Sequence, residues 1–379
     1  MEVEFSCPRE ALWFGVKTVG RALGAGRGMP ILGGIKLELT DDALTLQATD
    51  LERAIICTIP AENRGDGPRA VLVNGELLTK VASRLPEGEV LVRTVEEKVE
   101  LSCGGVKIDL LTMPLEDYPE IPKLPELRSC AIPREQLQQG LDQTTFAALS
   151  ARETSRLSLT GVDMILQEDK LRLVATNGYR LALKEEPLPT PPAEEGEYLV
   201  SSDSLKELLG ILAQVEAEEV ELYLDEQKRN LFFKAGEVIF IAKLLQEEYP
   251  DFERVIPREN RIGLHLERLA FLEALQRVEI TAAEESGAVI LEVREPALTA
   301  LAISSQSAEK GEAEEVLRLL RPAEEPIKIS FKAEYLIEAL KKMDSAEVTF
   351  WLEDPESAGL LEPSPPGGFI YVCMPIRMG

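Results

Sequence analysis

Along this chain the spacing of apolar positions switches between a helical and a strand period, and the order of the switches recurs. In CPREALWFGVKTVGRALG, Leu12, Val16, Val19 and Leu23 fall at i, i+4, i+7 and i+11, one buried stripe that predicts a helix with Lys17 and Arg21 on the opposite face. GAGRGMP breaks it. PILGGIKLELTDDALTLQATDLERAIICTIPA then alternates with a period of two, which predicts short strands and a turn at Thr40 to Asp42. Asn74 precedes a second stripe, Leu78, Val81, Ala82 and Leu85, with Lys80 and Arg84 outward; its side-chain oxygen suits a helix cap. EVLVRTVE, KVELSCGG and VKIDLLTMP follow as hairpin strands.

From Ile132 the same order begins again. IPREQLQQGLDQTTFAAL places Leu137 and Leu141 inward, and GVDMILQEDKLRLVATNGYRLALKEEPL supplies strands. SSDSLKELLGIL is a second helix capped by Ser201 or Ser202, with Leu205, Leu208, Leu209 and Leu212 on one face, before the strands EVELYLDE, RNLFFKAG and VIFIAKLL. A third, more diverged round has a helix around LERLAFLEALQRV, strands AVILEV and ALTALAISS, a helix KAEYLIEALKKM, and strands EVTFWLED and FIYVCMPIRM. Thr49, Thr176 and Ser304, in LQATDLERAII, LVATNGYRLAL and LAISSQSAEK, recur after roughly 127 to 128 residues, far above the roughly 20 to 50 of solenoid repeats. The repeating unit is a domain. The pattern predicts an α+β chain of three similar domains, each with two helices packed on antiparallel sheets, at residues 1–124, 125–257 and 258–379. Proline and charge interrupt the apolar patterning near Pro122 to Pro125 and Pro257 to Asn260. Proline-rich PLPTPPAEEGE, Pro187 to Glu197, and SPPGG are read as loops within their copies.

Composition narrows the class. Of the 379 residues, 45% are hydrophobic and 28% charged, as in a soluble globular protein, while 5% aromatics leave the cores to aliphatic side chains. No run approaches the roughly 18 apolar residues of a membrane span, and MEVEFSCPREAL lacks the basic start of a secretory signal. Cys7, Cys57, Cys103, Cys130 and Cys373 are odd in number and contain no CxxC pair, which argues against a disulfide framework and a zinc site and fits a reducing cytoplasm. The net charge of −26 stands against ordinary nucleic-acid binding unless the cations are segregated.

Catalysis finds little material. The single histidine, His265, lies among leucines beside a predicted helix start. GRALGAGRGMP follows a helix instead of a strand and lacks the Lys-Ser/Thr ending of a phosphate loop. There is no GxSxG, HExxH or aspartate-rich metal loop, so neither a catalytic group nor a cofactor is expected. The cations say more: Lys17 with Arg21, Lys80 with Arg84, and Lys341 with Lys342 all oppose a leucine stripe, whereas acids crowd the strands and loops. Either these are solvated helix faces, or they form a basic helical lining inside an acidic shell. In the middle copy Lys206 is nearly the only helical cation, which weakens the second reading.

PILGGIKLEL with ATDLE (Pro30 to Glu52), ATNGYRLAL (Ala175 to Leu183), AKLLQEEYPDFERVIP (Ala242 to Pro257) and terminal YVCMPIRM (Tyr371 to Met378) together resemble the bacterial sliding clamps, the β subunits of DNA polymerase III, over essentially the whole chain. The resemblance implies the DNA clamp fold: a head-to-tail homodimer closed into a ring that encircles double-stranded DNA without reading its sequence. Helices would line the hole, with Arg27, Lys17, Arg21, Lys80, Arg84, Arg152, Lys341 and Lys342 facing DNA. Ile108 and Leu110 on one side and Ile280 on the other would form the dimer joint. A pocket of Leu159, Thr176, Gly178, Tyr179, Arg180, Leu181, Pro250, Arg254, Val255, Val372, Met374, Pro375, Ile376 and Arg377 would take a short linear motif from the replicative polymerase subunit, the clamp loader and repair proteins, its apolar walls and methionine accepting leucine and phenylalanine side chains. The chain departs from the family at Asn177, usually Asp, at Cys373, usually a bulkier aliphatic, and by two residues after Arg377.

The expected function is therefore a non-catalytic DNA sliding clamp, cytoplasmic and without membrane contact, that tethers the replicative polymerase. Two other classes would need features that are missing here. A hydrolase on a three-domain β-rich scaffold needs a cluster of acid, base and nucleophile, and an adhesive surface protein needs a secretory signal and paired cysteines.

Overall fold

A computed structural model describes residues 4–24, 28–40, 42–65 and 69–377, Arg69 by its backbone alone. The first round of elements is β1 (Glu4–Pro8), α1 (Arg9–Val19), β2 (Gly34–Leu39), β3 (Ala43–Thr49), β4 (Arg53–Pro60), the two-residue β5 (Glu62–Asn63), β6 (Arg69–Asn74), α2 (Gly75–Arg84), β7 (Glu89–Val95), β8 (Lys98–Cys103) and β9 (Val106–Met113). Leu12, Val16 and Val19 are buried as the stripe requires, and Leu23 is half-buried. Cys7 and Pro8 belong to strand β1 and not to the helix, because Cys7 pairs with Val90 of β7. Asn74 caps α2, its Oδ1 accepting the Leu77 amide at 2.9 Å, a bond typically worth about 1 kcal/mol.

The second round runs β10 (Arg128–Pro133), α3 (Arg134–Thr144), β11 (Gly161–Gln167), β12 (Lys170–Thr176), β13 (Arg180–Pro187), β14 (Gly196–Ser201), α4 (Ser202–Leu212), β15 (Glu219–Leu224), β16 (Asn230–Ala235) and β17 (Val238–Lys243). Leu205, Leu208 and Leu212 are buried, but Ile211 takes the inward place expected of Leu209, which is half-exposed. The third round is β18 (Ile262–Glu267), α5 (Arg268–Val278), β19 (Ala288–Val293), β20 (Ala300–Ser307), β21 (Gly311–Arg318), β22 (Ile327–Lys332), α6 (Ala333–Lys341), β23 (Glu347–Leu352), β24 (Gly359–Ser364) and β25 (Phe369–Cys373). Apart from β5, the three rounds have the same order of strands and helices. His265 lies in β18, its Nδ1 3.0 Å from the Thr349 hydroxyl and its ring edge-on to Trp351, which is a packing role.

The chain divides into two compact units. One holds Met1–Gln138, Pro192–Glu194 and Ser204–Leu244; the other holds Gln139–Pro191, Glu195–Asp203 and Leu245–Gly379. The first contains a 13-stranded sheet in the order β10-β15-β16-β17-β4-β3-β2-β6-β9-β8-β7-β1-β5. The second contains an eight-stranded sheet, β14-β11-β12-β13-β25-β24-β23-β18, and a four-stranded one, β21-β20-β19-β22. Two pairings fuse successive rounds: β4 with β17, Cys57 opposite Val238, and β13 with β25, Leu181 opposite Val372. In each, the second strand of one round's hairpin joins the last strand of the next. Strand β21 of the third round has only β20 as a neighbour, and β9 of the first meets β6 only at Met113 and Thr112, so its edge from Val106 to Leu111 is unpaired among the described residues.

All five cysteines are free and buried, and burial pushes the thiols of Cys7, Cys57, Cys130 and Cys373 up to about 12, far from a reactive thiolate. Among the described residues no helix is long and apolar enough to cross a membrane.

One buried acid gives a pH prediction. Asp163 is 3% exposed in β11, whose residues are buried on both faces. Burial, and then the Glu197 carboxylate, push it from 3.8 up to about 7. A carboxyl whose pKa is raised by folding holds its proton better folded than unfolded. Its contribution is complete below pH ~4 and is lost as pH climbs through about 7. Asp163→Asn should flatten that slope and stabilise the protein at pH 8 by on the order of 2–4 kcal/mol relative to the parent. Urea unfolding at pH 5 and pH 8 measures it; an equal pH slope in both proteins would contradict the assignment.

Candidate functional site

The hairpin β12–β13 turns through Thr176, Asn177, Gly178, Tyr179 and Arg180, and its geometry follows from side chains that hydrogen-bond their own backbone. Thr176 Oγ1 donates to the Arg180 carbonyl at 2.6 Å and accepts the Gly178 amide at 3.1 Å. Asn177 Oδ1 accepts the amides of Tyr179 at 2.9 Å and Arg180 at 3.0 Å. In the first round, Thr49 and Asp50 make the same bonds to Leu51, Glu52 and Arg53. The residue at the apex needs positive φ in both turns: 88° at Gly178, which glycine adopts freely, and 73° at Leu51. Asn177 therefore keeps the turn that an aspartate would make; what it lacks is the charge.

Beside this turn lies a hollow of about 240 Å³, all of it within the second unit, lined by Arg156, Leu159, Thr176, Gly178, Tyr179, Arg180, Leu181, Pro250, Asp251, Phe252, Val255, Val372 and Met374. That is smaller than the roughly 300–1,000 Å³ of drug-sized ligand sites and suits a few side chains better than a cofactor. Its base is a packed cluster of Ile165, Val174, Leu181, Leu183, Phe252 and Val372. Its rim is unusual: Tyr179 is 67% exposed, Val255 50% and Met374 43%, large apolar groups left in water around one depression. The Met374 amide donates to the Tyr179 carbonyl at 2.8 Å, which holds the two rim residues together.

Ten of the expected pocket residues line this hollow, and four do not. Arg254 is 84% exposed at its side chain and is held by Asp251, Nε to Oδ2 2.6 Å. Pro375 follows Met374 away from the lining, the Ile376 amide is bound to the Ser330 carbonyl at 2.8 Å, and Arg377 is exposed. Arg156, Asp251 and Phe252 also line the hollow, beyond the expected set; the signal for Phe252 is a pair of aromatics, Tyr249 and Phe252, in the otherwise mostly charged QEEYPDFER. Arg180 is 9% exposed, and its guanidinium is engaged elsewhere through both Nη atoms: Nη2 donates to the Phe146 carbonyl at 2.7 Å, Nη1 pairs with Glu338, and Cζ lies 4.4 Å from the Tyr335 ring centre, while the buried Nε has no hydrogen-bond partner.

A larger hollow of about 720 Å³ occurs in the first unit where β6 and β9 diverge. Glu96, Glu97 and Glu116 line it together with Leu111 and Met113, a mixed and open surface without the apolar rim.

The cations differ in their freedom. Lys17, Arg84, Arg152 and Lys341 are exposed and make no ion pair among the described residues. Lys80 is exposed and paired one helical turn back with Glu76. Arg21 is half-buried and paired with Glu207 of α4 at 2.8 Å, lying so close over Gly210 that a Cβ there would meet its Nη1 at 2.6 Å; Lys342 is half-buried and pairs with Asp142. These two are engaged by helices of the next or preceding round instead of being held free. Arg27 lies outside the described residues. At the expected joint, Ile280 is 71% exposed and Ile108 half-buried, but Leu110 is 7% exposed and packed into its own unit; Leu111 beside it, at 68%, is the more open of the two exposed apolar groups of β9, the other being Val106. Strand alternation dictates this, since neighbours point to opposite faces. Among the described residues no cluster of three or more His, Cys, Asp or Glu could hold a metal ion.

Three family models match in order: the N-terminal domain of the DNA polymerase III beta subunit at residues 3–122, the central domain at 131–251 and the C-terminal domain at 253–377. The chain belongs to the DNA polymerase III beta subunit family. It is 28% identical over 354 residues to the beta sliding clamp of Bacillus subtilis, covering 91% of this chain and 92% of that one. It is 29% identical over 380 residues to that of Synechococcus elongatus, covering 98% of each. The crystal structure of the Bacillus subtilis DNA polymerase sliding clamp superimposes with a TM-score of 0.93 at 25% identity over 100% of both chains. That of the Pseudomonas aeruginosa DNA polymerase III subunit beta gives 0.91 at 26%, over 99% of this chain and 100% of the other. The fold is the three-domain clamp fold of helices on antiparallel sheets, and the function is that of a DNA sliding clamp for polymerase III in DNA replication, a processivity subunit and not a catalytic one.

Proposed function

We propose that two copies of this chain join head to tail into a ring around duplex DNA, and that the apolar hollow beside Gly178 takes a short linear motif of the proteins it tethers. The observation that carries the ring is the pair of spare strand edges. Hairpin strand joins last strand from round one to two and from two to three; among the described residues only β21 and β9 lack that partner. A chain cannot satisfy both by itself without bending into a three-round circle, but two chains can exchange them, giving a heterologous contact that closes after six rounds and leaves no hairpin edge exposed. The rounds correspond to clamp domains at 1–124, 125–257 and 258–379. The joint comprises the backbone edge from Ile108 to Leu110 and the exposed Leu111 on one side, and β21 with Ile280 on the other.

DNA is held by enclosure. Lys17, Lys80, Arg84, Arg152 and Lys341, together with Arg27, offer scattered phosphate contacts, and Arg21 and Lys342 contribute once their carboxylate partners yield. Few, sequence-independent contacts permit sliding, and the net charge of −26 keeps DNA off other surfaces. A protein with this task works in the cytoplasm, with the replicative polymerase subunit, the clamp loader and repair proteins as partners.

For the pocket, Leu159, Leu181, Pro250, Val255, Val372 and Met374 supply apolar walls, Thr176, Gly178 and Tyr179 the turn, and Arg254, Pro375, Ile376 and Arg377 an outer margin. A motif with leucine and phenylalanine side chains would cover the exposed rim. Met374→Ala should raise the Kd of a fluorescein-labelled C-terminal tail peptide of the replicative polymerase subunit about tenfold. Because Met374 is 43% exposed, the melting temperature should hardly change. Fluorescence anisotropy measures the affinity, and an unchanged Kd would remove the pocket from this role.

A further inference from the structure

The framework that shapes the hollow beside Gly178 occurs a second time, wholly within the first unit. There β4 and β17 run side by side as β13 and β25 do, with Ala54 opposite Ile241 in the register of Leu181 and Val372. The Lys243 amide donates to the Glu52 carbonyl at 2.9 Å, as the Met374 amide does to that of Tyr179. The Tyr118 hydroxyl donates to the Gln47 carbonyl at 3.4 Å, as Tyr249 does to that of Val174 at 3.3 Å. These tyrosines open matching segments, YPEI from Tyr118 and YPDF from Tyr249. Enclosed by the turn at Leu51, strand β17 and the YPEI segment is a hollow of about 170 Å³.

Its chemistry is different. Ala54, Ile121 and Ile241 make an aliphatic floor, backed by Tyr223 and Phe232, and no aromatic side chain lines the space. Glu52 stands where the other hollow has Tyr179, and Lys243 where it has Met374. Two of the four charged groups that line it are cations already answered: Lys243 lies 3.5 Å from the Glu52 carboxylate, and Arg53 is 3.4 Å from Asp50. Glu120 is exposed and makes no ion pair among the described residues, whereas its counterpart Asp251 is held by Arg254. At the rim Leu51 is 46% exposed, and its φ of 73° is one that glycine adopts freely and leucine does not. A leucine held in an unfavourable backbone conformation with its side chain in water is an apolar group waiting for cover.

We infer that this hollow is a second peptide site, selective for a short extended segment with one aliphatic side chain flanked by basic ones. The aliphatic group fills the floor beneath Leu51. A lysine or arginine two residues away lies on the same face of an extended segment and meets Glu120, and the net charge of −26 favours its approach. Without an aromatic slot or a methionine at the rim, the site discriminates against a motif of leucine and phenylalanine, so the two hollows sort partners by side-chain chemistry. The inference goes beyond the pocket reading above and takes from it only that this framework holds a peptide.

Anisotropy of a fluorescein-labelled peptide with the core Lys-Ser-Ile-Ser-Lys, titrated with the full-length protein, tests it. Binding is expected with a Kd on the order of 10⁻⁴ M, since the contact is small. Glu120→Lys should weaken it about tenfold and Leu51→Gly about fivefold. Glycine suits the backbone of that turn better than leucine, so the second loss does not come from unfolding. Neither substitution should change the Kd of the polymerase tail peptide, and an excess of that peptide should not displace the basic one. Absence of binding overturns the inference. Equal binding of a Lys-Ser-Ser-Ser-Lys core, or unchanged affinity in both variants, also overturns it by showing plain attraction to an acidic surface. Displacement by the tail peptide overturns it by placing the basic peptide beside Gly178. Failure of the tail peptide to bind, with the basic peptide bound and sensitive to Glu120→Lys, overturns the pocket reading and leaves this site standing.

Discussion

Ile280→Asp should convert the protein from a species of twice 41.9 kDa to one of 41.9 kDa at micromolar concentration, as light scattering coupled to gel filtration would read it. Ile280 is 71% exposed in a short turn after α5, and the same unit exposes Leu269 at 58%, Val316 at 58% and Leu320 at 44%. That much apolar surface in one third of a single chain is what a joint looks like before it is covered. Burying one isoleucine side chain contributes about 1.5–3 kcal/mol, and placing an unpaired carboxylate there adds a desolvation cost. A closed ring of two copies has two identical joints and both must part, so each loss counts twice. The combined effect is at least about 3–6 kcal/mol, or roughly 10²–10⁴ in the dissociation constant. The substitution touches no core residue, so each subunit should keep its melting behaviour apart from the contribution of association. A variant that stays dimeric at nanomolar concentration would place the joint elsewhere.

The second large effect concerns topology. Once loaded on a nicked circular duplex, the protein should stay bound when salt is raised from about 50 to about 200 mM, and should be lost when the circle is cut with a restriction enzyme. Ordinary binding through 6–10 phosphate contacts loses about 10³–10⁵ in affinity over that salt range and is indifferent to whether the DNA has ends. Enclosure has the opposite signature, because the ring leaves by sliding over an end and not by breaking contacts. Gel filtration of the loaded DNA before and after cutting reads both arms. Equal retention on the circle and the linear form, or release from the circle by salt, would show that the exposed cations grip DNA in the usual way.

Much of the second unit's site was legible in the sequence because its chemistry is local. The turn ATNGYR carries its own hydrogen-bond partners within five residues, so Thr176, Asn177 and Gly178 dictate its shape wherever the chain puts it. The stripes of α1, α2 and α3 are equally local, and so is the cap at Asn74. Strand β21, GEAEEVLR, is not marked by its pattern for a physical reason: it is an edge strand with five of its eight positions exposed and the other three half-buried, so acids replace the apolar alternation that marks a covered strand. Strand β24, GLLEPS, was hidden by its proline and its neighbours. Cys7 and Pro8 were drawn into α1 because a strand that runs directly into a helix leaves no loop to mark the change.

By itself the sequence determined the repeat, the identity of the helices, the residues that make the turn and most of those that wall the hollow. Only the tertiary structure decided which cations are free and which are spent on a partner, since Arg21 meets Glu207 across 186 residues and Arg180 meets Glu338 across 158. It also decided which strand edges are used within the chain and which stay unpaired among the described residues. Periodicity and turn chemistry act over a few residues and can be read from them. An ion pair or a strand pairing depends on what the fold brings opposite, and a basic helix face is left free or becomes a brace according to the residue it meets.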